Sequence, residues 1–132
     1  MRYLGIDHGN TNVGIAISDS LNMLAKELVT LKMSSLIFDD IKEVCEEHNI
    51  STVVLGLPLG VRSGKDTDQT EIVRDFGSNL EEITGLEVKY FDERFTSKIA
   101  LKMPKVKREG LSKDSFAAML ILQSYLDSLS TL

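Results

Sequence analysis

The stretch Leu4 to Asp19, LGIDHGNTNVGIAISD, constrains the fold more than any other part of the chain. An apolar run closes on Asp7, turn-forming residues follow, and a second apolar run closes on Asp19. Gly5, Gly9 and Gly14 punctuate the segment, and Asn10, Thr11 and Asn12 supply turn chemistry between the runs. The pattern predicts a strand, a tight turn and an antiparallel return strand. Asp7 then lies at the end of the first strand, where the backbone bends away. A carboxylate held there beside glycines can face a metal ion or a phosphate. Asp19, at a strand end or turn, is expected to be structural.

The remaining elements follow in order. Leu24 to Met33 alternates enough for a third strand. Ser34 or Ser35 can cap a helix reaching about Asn49, with Leu36, Ile37, Ile41, Val44 and Cys45 as its apolar stripe. Asp39, Asp40, Lys42, Glu43, Glu46 and Glu47 fall on its outer face, and His48 near its end complements the helix dipole. Thr52 to Leu57 is a continuous apolar run, the mark of a strand buried on both faces, and Pro58 ends it. The stretch Leu59 to Asp68 reads as a mobile loop, either a lid or a plain surface connection. It follows the C-terminal end of a central strand, where open α/β sheets place ligands.

Gln69 to Thr84 has helical spacing through Ile72, Val73, Phe76, Leu80 and Ile83, with Gly85 placed as its C-cap. Leu86 to Phe91 alternates into a further strand that leads to Asp92, Glu93 and Arg94. By alternation only one of these two acids can share a side of the sheet with Asp7. A short helix is expected from Thr96 to Met103, broken by Pro104, then a basic loop from Lys105 to Gly110. Ser112 can cap a last helix running to about Ser130. Asp114 sits in its first turn, where an acid also complements the dipole, and Ala117 and Ala118 allow close approach to the sheet. The sum is β-β-β-α-β-α-β-α-α: a mixed α/β sheet of five strands, three antiparallel and then parallel, with helices on both faces.

At 132 residues and 42% hydrophobic content, one domain spanning 1–132 with its own core is expected. The single cysteine, Cys45, excludes an internal disulfide and suits a reducing, cytoplasmic setting. Neither a signal peptide nor an apolar run of membrane-spanning length is apparent, so no membrane association is expected. The net charge is −5, yet Arg94, Lys98, Lys102, Lys105, Lys107, Arg108 and Lys113 are offset between them only by Glu109. Such a patch on an acidic body suits a polyanion held in one place, although a solvated helix and loop would have the same composition.

Asp7, Glu93 and Asp114 are acids at element ends that this order can bring together. Phosphodiester hydrolysis with two magnesium ions about 3.5–4 Å apart needs such a cluster. Magnesium keeps several waters, so few protein ligands suffice. No His/Cys spacing suggests zinc, and no Walker-type glycine loop suggests a nucleotide site.

GIDHG with the later AISD, then VVLGLPL, DERFTS and KDSFAAMLILQSYL, together resemble the YqgF/RuvX family of pre-16S rRNA nucleases, also described as Holliday junction resolvase-like. The resemblance runs from the first strand to the last helix. It implies a ribonuclease H-like fold in a single domain and a nuclease of the hydrolase class acting in ribosome biogenesis. Carried over by position, Asp7, Glu93 and Asp114 match the family's three acids, as ligands of Mg²⁺ or Mn²⁺ that activate a water. Arg94 and Thr96 would orient Glu93 or touch a phosphate, with Gly9 in support. Lys105, Lys107 and Arg108 fall in the family's basic loop, and with Arg94, Lys98, Lys102 and Lys113 would hold nucleic acid. The first turn, with Asn10, Thr11 and Asn12, lacks the basic residues usual there, and the loop after Pro58 carries Asp66 and Asp68.

The implied partner is pre-rRNA, alternatively four-way branched DNA, handled by a monomer or weak dimer. Resolution of a four-way junction needs a symmetric pair of active sites, and no spare apolar helix face marks a dimer interface. Two rivals come from other classes. One is a non-catalytic nucleic-acid-binding module on the same fold. The other is an actin-like ATPase or sugar kinase, suggested by Asp-x-Gly-x-Thr, which requires two such domains.

Overall fold

The computed structural model describes residues 1–60, 63–96 and 113–130. The first two apolar runs pair as antiparallel strands, β1 (Arg2–His8) and β2 (Asn12–Ser18), with Asp7 opposite Gly14. β3 (Ala25–Lys32) continues the antiparallel sheet beside β2. The turn between β2 and β3 is pinned by Asp19, whose Oδ1 accepts from the Met23 and Leu24 amides at 2.8 and 3.3 Å. Asn22 in that turn takes the left-handed conformation, φ 55°.

The chain then crosses through helix α1 (Ile37–Glu47) into β4 (Ile50–Leu57), parallel to β1. A second crossover, α2 (Asp68–Thr84), leads to β5 (Glu87–Asp92), parallel to β4. A 3₁₀ turn (Glu93–Phe95) follows β5, and the last helix, α3, is Lys113–Ser130. The sheet order is β3-β2-β1-β4-β5. This is the expected five-stranded mixed sheet. The expected helix from Thr96 to Met103, the basic loop and the Ser112 cap lie outside the described residues, apart from Thr96.

Two cores cover the two sheet faces. Leu4, Ile6, Val13, Ile15, Val53 and Leu55 point toward α1 and α2, where Ile41, Val73 and Leu80 meet them. On the other face Ala16 and Val54 meet Ala118, Ile121, Leu122 and Leu126 of α3. Each fully buried Ile, Leu or Val contributes roughly 1.5–3 kcal/mol, so these faces fix strand register.

The helix faces differ from expectation in detail. Leu36 is 60% exposed because α1 begins after it. Neither Ser34 nor Ser35 occupies the cap position; Ser34 Oγ instead accepts from the Leu36 amide at 3.1 Å. Along α2, Ile72 and Ile83 are exposed, and Thr70 and Gly77 take the inner positions beside Val73, Phe76 and Leu80. Thr70 is drawn inward because its hydroxyl donates to the Pro58 carbonyl. Gly77 lies under the ring of Tyr90, leaving no room there for a side chain. A reciprocal Thr67–Thr70 capping box starts α2, and Gly85 ends it in the left-handed conformation, φ 73°.

Candidate nucleic-acid cleavage site

The geometry of the site begins with glycines. On the sheet face below α3, alternation places Gly5 and Asp7 on β1, Gly14 and Ala16 on β2, and Val54 and Gly56 on β4. A Cβ on Gly14 would fall 1.9 Å from the Asp114 carbonyl oxygen, and one on Gly5 would fall 2.7 Å from Leu122 Cβ. Gly5 and Gly14 lie inside the β1–β2 ladder, away from the turn at Asn10 and Thr11. They are strand-interior residues that let the α3 backbone rest on the sheet. That contact brings the first turn of α3, with Asp114, over the residue paired with Asp7.

Glu93 arrives from the other side. It follows β5, which is separated from β1 by β4, and neighbouring strands lie about 4.8 Å apart. Its side chain reaches back over Gly56, where an added Cβ would sit 2.7 Å from Glu93 Oε1. Beyond Gly56 the two carboxyls meet: Asp7 and Glu93 share a hydrogen bond.

Burial, then the charges of Glu93 and Asp114, push the Asp7 carboxyl up to about 7, and the hydrogen bond to Glu93 adds to the rise. Burial also raises Glu93, opposed by the hydrogen bond from Asp7 and reinforced by the charge of Asp92. The pair thus holds a proton near neutral pH, with Asp7 as its donor, because two adjacent carboxylates cannot both ionise cheaply in a half-buried place.

Asp92 turns away from this pair. Its Oδ1 accepts from the Arg94 amide at 3.0 Å, and its carboxylate takes the Arg94 guanidinium at 2.6–3.1 Å. Arg94 is therefore paired with Asp92. The Arg94 hydrogen bonds hold Asp92 below the usual carboxylate range. Among the described residues, Thr96 Oγ1 and His8 Nδ1 are buried with no hydrogen-bond partner. The His8 ring sits edge-on to Phe76, 4.7 Å between centroids, which places it on the α2 side of the sheet.

Gly9 serves the turn after β1, where a Cβ would lie 2.4 Å from the Asn12 carbonyl oxygen. Lys113 is exposed at the start of α3. Lys98, Lys102, Lys105, Lys107 and Arg108 lie outside the described residues. The loop after Pro58 is tied down where it is described: the Gly60 amide donates to the Lys65 carbonyl at 3.0 Å, and Asp66 pairs with Arg74 at 2.8 Å. Gly64 packs beside the Arg94 guanidinium, so this loop borders the 3₁₀ turn that carries Glu93.

The donor set is all oxygen and all acidic, the chemistry of a hard dication such as Mg²⁺. Asp7 and Glu93 fit as an adjoining pair, with Asp114 close enough for its charge to act on Asp7. Among the described residues, no three His, Cys, Asp or Glu side chains already stand as a complete metal-binding group. No described helix is long and apolar enough to cross a membrane.

A family model described as RuvX, Holliday junction resolvase, matches residues 1–128. A Clostridium botulinum protein named "Putative pre-16S rRNA nuclease" is 38% identical over 138 residues, covering 98% of this chain and 99% of that protein. A Lactococcus lactis protein of the same name is 40% identical over 136 residues, covering 96% and 94%. Among solved structures, T. thermophilus RuvC in complex with a Holliday junction substrate superposes with a TM-score of 0.64 at 14% identity, covering 99% of this chain and 97% of that one. That likeness is one of fold, ribonuclease H-like as expected. With a family match along nearly its whole length and relatives of this identity, the chain belongs to the RuvX family, a family of phosphodiester-cleaving hydrolases.

Proposed function

We propose that this chain is a divalent-metal-dependent nuclease that processes the 5′ end of pre-16S rRNA in the cytoplasm. Asp7, Glu93 and Asp114 are its catalytic and metal-holding carboxylates. The observation that carries the reading is the Asp7–Glu93 pair, two half-buried carboxyls hydrogen-bonded to each other, with the Glu93 side chain laid over Gly56. Structural acids are ordinarily paired with cations, as Asp92 is with Arg94 and Asp66 with Arg74. An acid pair left to share a proton is costly to the fold and is explained by a task.

Asp7, Glu93 and Asp114 would hold Mg²⁺ or Mn²⁺, two ions in this reading, which would supply water activation and charge neutralisation at the leaving oxygen. The protein's own part is positional. Asp7 is fixed by the β1–β2 ladder and Glu93 by the 3₁₀ turn that Asp92 caps, so neither needs to be ordered at the moment of reaction. Asp114 lies in the first turn of α3, close enough for its charge to act on Asp7. α3 seals the sheet below and keeps water from that side. Lys113 and the basic residues Lys98, Lys102, Lys105, Lys107 and Arg108 hold the phosphate backbone and fix its register without reading sequence.

The family's description favours a second reading, a resolvase acting on four-way DNA. One experiment separates them. Labelled RNA spanning the 5′ end of mature 16S rRNA and a mobile four-way DNA junction are incubated with the protein in Mg²⁺, Mn²⁺ or EDTA, with Asp7→Asn protein as control. Metal-dependent cutting of the RNA alone, absent in the variant, supports the processing nuclease. Paired symmetric nicks in the junction support the resolvase. Equal cutting by both proteins, or none by either, overturns the catalytic reading.

A further inference from the structure

Phe95 is the most exposed aromatic side chain among the described residues, at 69%, whereas Phe38, Phe76, Phe91 and Phe116 are buried or half-buried. It ends the three-residue 3₁₀ turn that begins with Glu93. Such a turn advances about 120° per residue, so its three side chains diverge. Glu93 goes inward to Asp7, Arg94 folds back onto Asp92, and Phe95, two residues after Glu93, is left facing out.

The ring is also braced. The Arg94 guanidinium carbon lies 5.6 Å from the Phe95 centroid, and Arg94 is itself held by Asp92 through hydrogen bonds of 2.6–3.1 Å. Asp92 caps the same turn through the Arg94 amide. A stiff turn therefore presents an apolar ring to solvent with a cation behind it, at a fixed offset from Glu93. Packing does not explain this, because the side chain buries little.

We propose that Phe95 stacks on an unpaired nucleobase next to the phosphate being cut, so that the site selects unpaired stretches over continuous duplex. The inference rests on the nuclease reading and specifies its substrate. Every base offers a flat face, and stacking on an aromatic ring tolerates any sequence. A base inside a duplex has both faces covered by its neighbours, so only an unpaired or terminal base can use Phe95. The same chemistry serves RNA and single-stranded DNA. The bracing cation strengthens the platform without adding a free charge, since Arg94 is already paired.

The test uses the full chain in the Asp7→Asn background, so that cutting does not compete with binding. Single-stranded RNA, single-stranded DNA and duplex of one sequence are titrated by fluorescence anisotropy against Phe95 and Phe95→Ala proteins. Loss of one stacked base should weaken single-strand binding by roughly tenfold or more and leave duplex binding almost unchanged. A weakening confined to RNA or to DNA names the strand that uses the platform. The chain has no tryptophan, so Phe95→Trp supplies a single reporter. Its emission should be quenched by single strands and not by duplex.

Equal single-strand affinity for Phe95 and Phe95→Ala proteins overturns the proposal. So does unchanged tryptophan emission while anisotropy reports binding, or a Phe95→Ala effect on self-association alone. Failure of wild-type protein to bind any nucleic acid overturns the nuclease reading together with this one. Normal binding with an unmoved Phe95→Ala overturns this one only.

Discussion

Replacing Asp7 by Asn removes a carboxyl whose ionisation the fold opposes, and the effect on stability can be worked from the site. In the folded chain this carboxyl ionises at about 7, against 3.8 for an unperturbed aspartate. A folded value above the unfolded one means that wild-type stability is fully present below about pH 4 and is lost as pH rises through about 7. A rise of one pH unit in a carboxyl's pKa corresponds to about 1.4 kcal/mol, so the penalty above pH 7 is at most about 4 kcal/mol, since the proton is shared with Glu93. Asn keeps an N–H that can donate to Glu93 and carries no charge. Thermal unfolding in EDTA should therefore show equal midpoints near pH 4 and a more stable Asp7→Asn protein by pH 8, with roughly 3–6 °C gained per kcal/mol. Added Mg²⁺ should raise the wild-type midpoint and narrow the gap, because a ligand bound only by the folded state stabilises it by mass action. A difference that stays flat from pH 4 to pH 8 would refute the shared-proton description of the pair.

Gly14→Ala should lose both stability and cleavage, because the new methyl meets the Asp114 carbonyl and the Ser115 amide rather than flexible side-chain ends. A loss of about 1–3 kcal/mol in chemical denaturation is expected, with α3 and Asp114 displaced from Asp7. Thr67→Ala removes one half of the α2 capping box and should cost about 1 kcal/mol while leaving the cleavage rate per folded molecule unchanged. Denaturant unfolding and an active-site-normalised rate check these two together.

The element order was legible because hydrophobic periodicity carries it. The alternation of Leu4 to Asp7, the continuous run Val53 to Leu57 and the helical spacing of Val73, Phe76 and Leu80 each has one low-energy arrangement. Errors fell where tertiary contacts override local pattern. Ile72 and Ile83 border the buried stripe of α2 and stay exposed, whereas Thr70 is buried with a carbonyl partner that sequence cannot reveal. Gly5 and Gly14 punctuate the first two apolar runs in sequence, and their work is done across the sheet against a helix about a hundred residues away or more. Sequence leaves Arg94 able to pair with either adjacent acid, to orient Glu93 or to touch a phosphate, because proximity in sequence does not say which neighbour a guanidinium will choose. Asp92, the cap of the same turn, takes it in bidentate fashion. The available signal was glycine inside apolar strand runs, a mark of close backbone approach.

Gly56 shows how that mark reaches the chemistry. The carboxylate at 93 must cross a whole strand to meet Asp7, and Glu is the longer of the two acidic side chains; the strand beneath it must then have no side chain of its own. A Cβ at Gly56 would come within 2.6 Å of Ile121 Cδ1 and 2.7 Å of Glu93 Oε1, both far ends of flexible side chains. Gly56→Ala should therefore keep the fold, with strand propensity offsetting part of the crowding, to a net change of about 1 kcal/mol or less. The carboxylate at 93 should nevertheless be pushed off Asp7. Withdrawing that charge and hydrogen bond lets the Asp7 value fall from about 7 toward the ordinary range, without reaching it, because burial is the largest cause of the rise. Carboxyl carbon NMR titration of Asp7 reads this directly, and cleavage should fall in parallel. An Asp7 titration unmoved in a folded Gly56→Ala protein would mean that Glu93 does not reach its partner by this route. A Gly14→Ala protein, by contrast, should lose activity through displacement of the α3 backbone, with its stability falling in step. Comparing the two variants separates a site disturbed through a side chain from one disturbed through the frame that holds it.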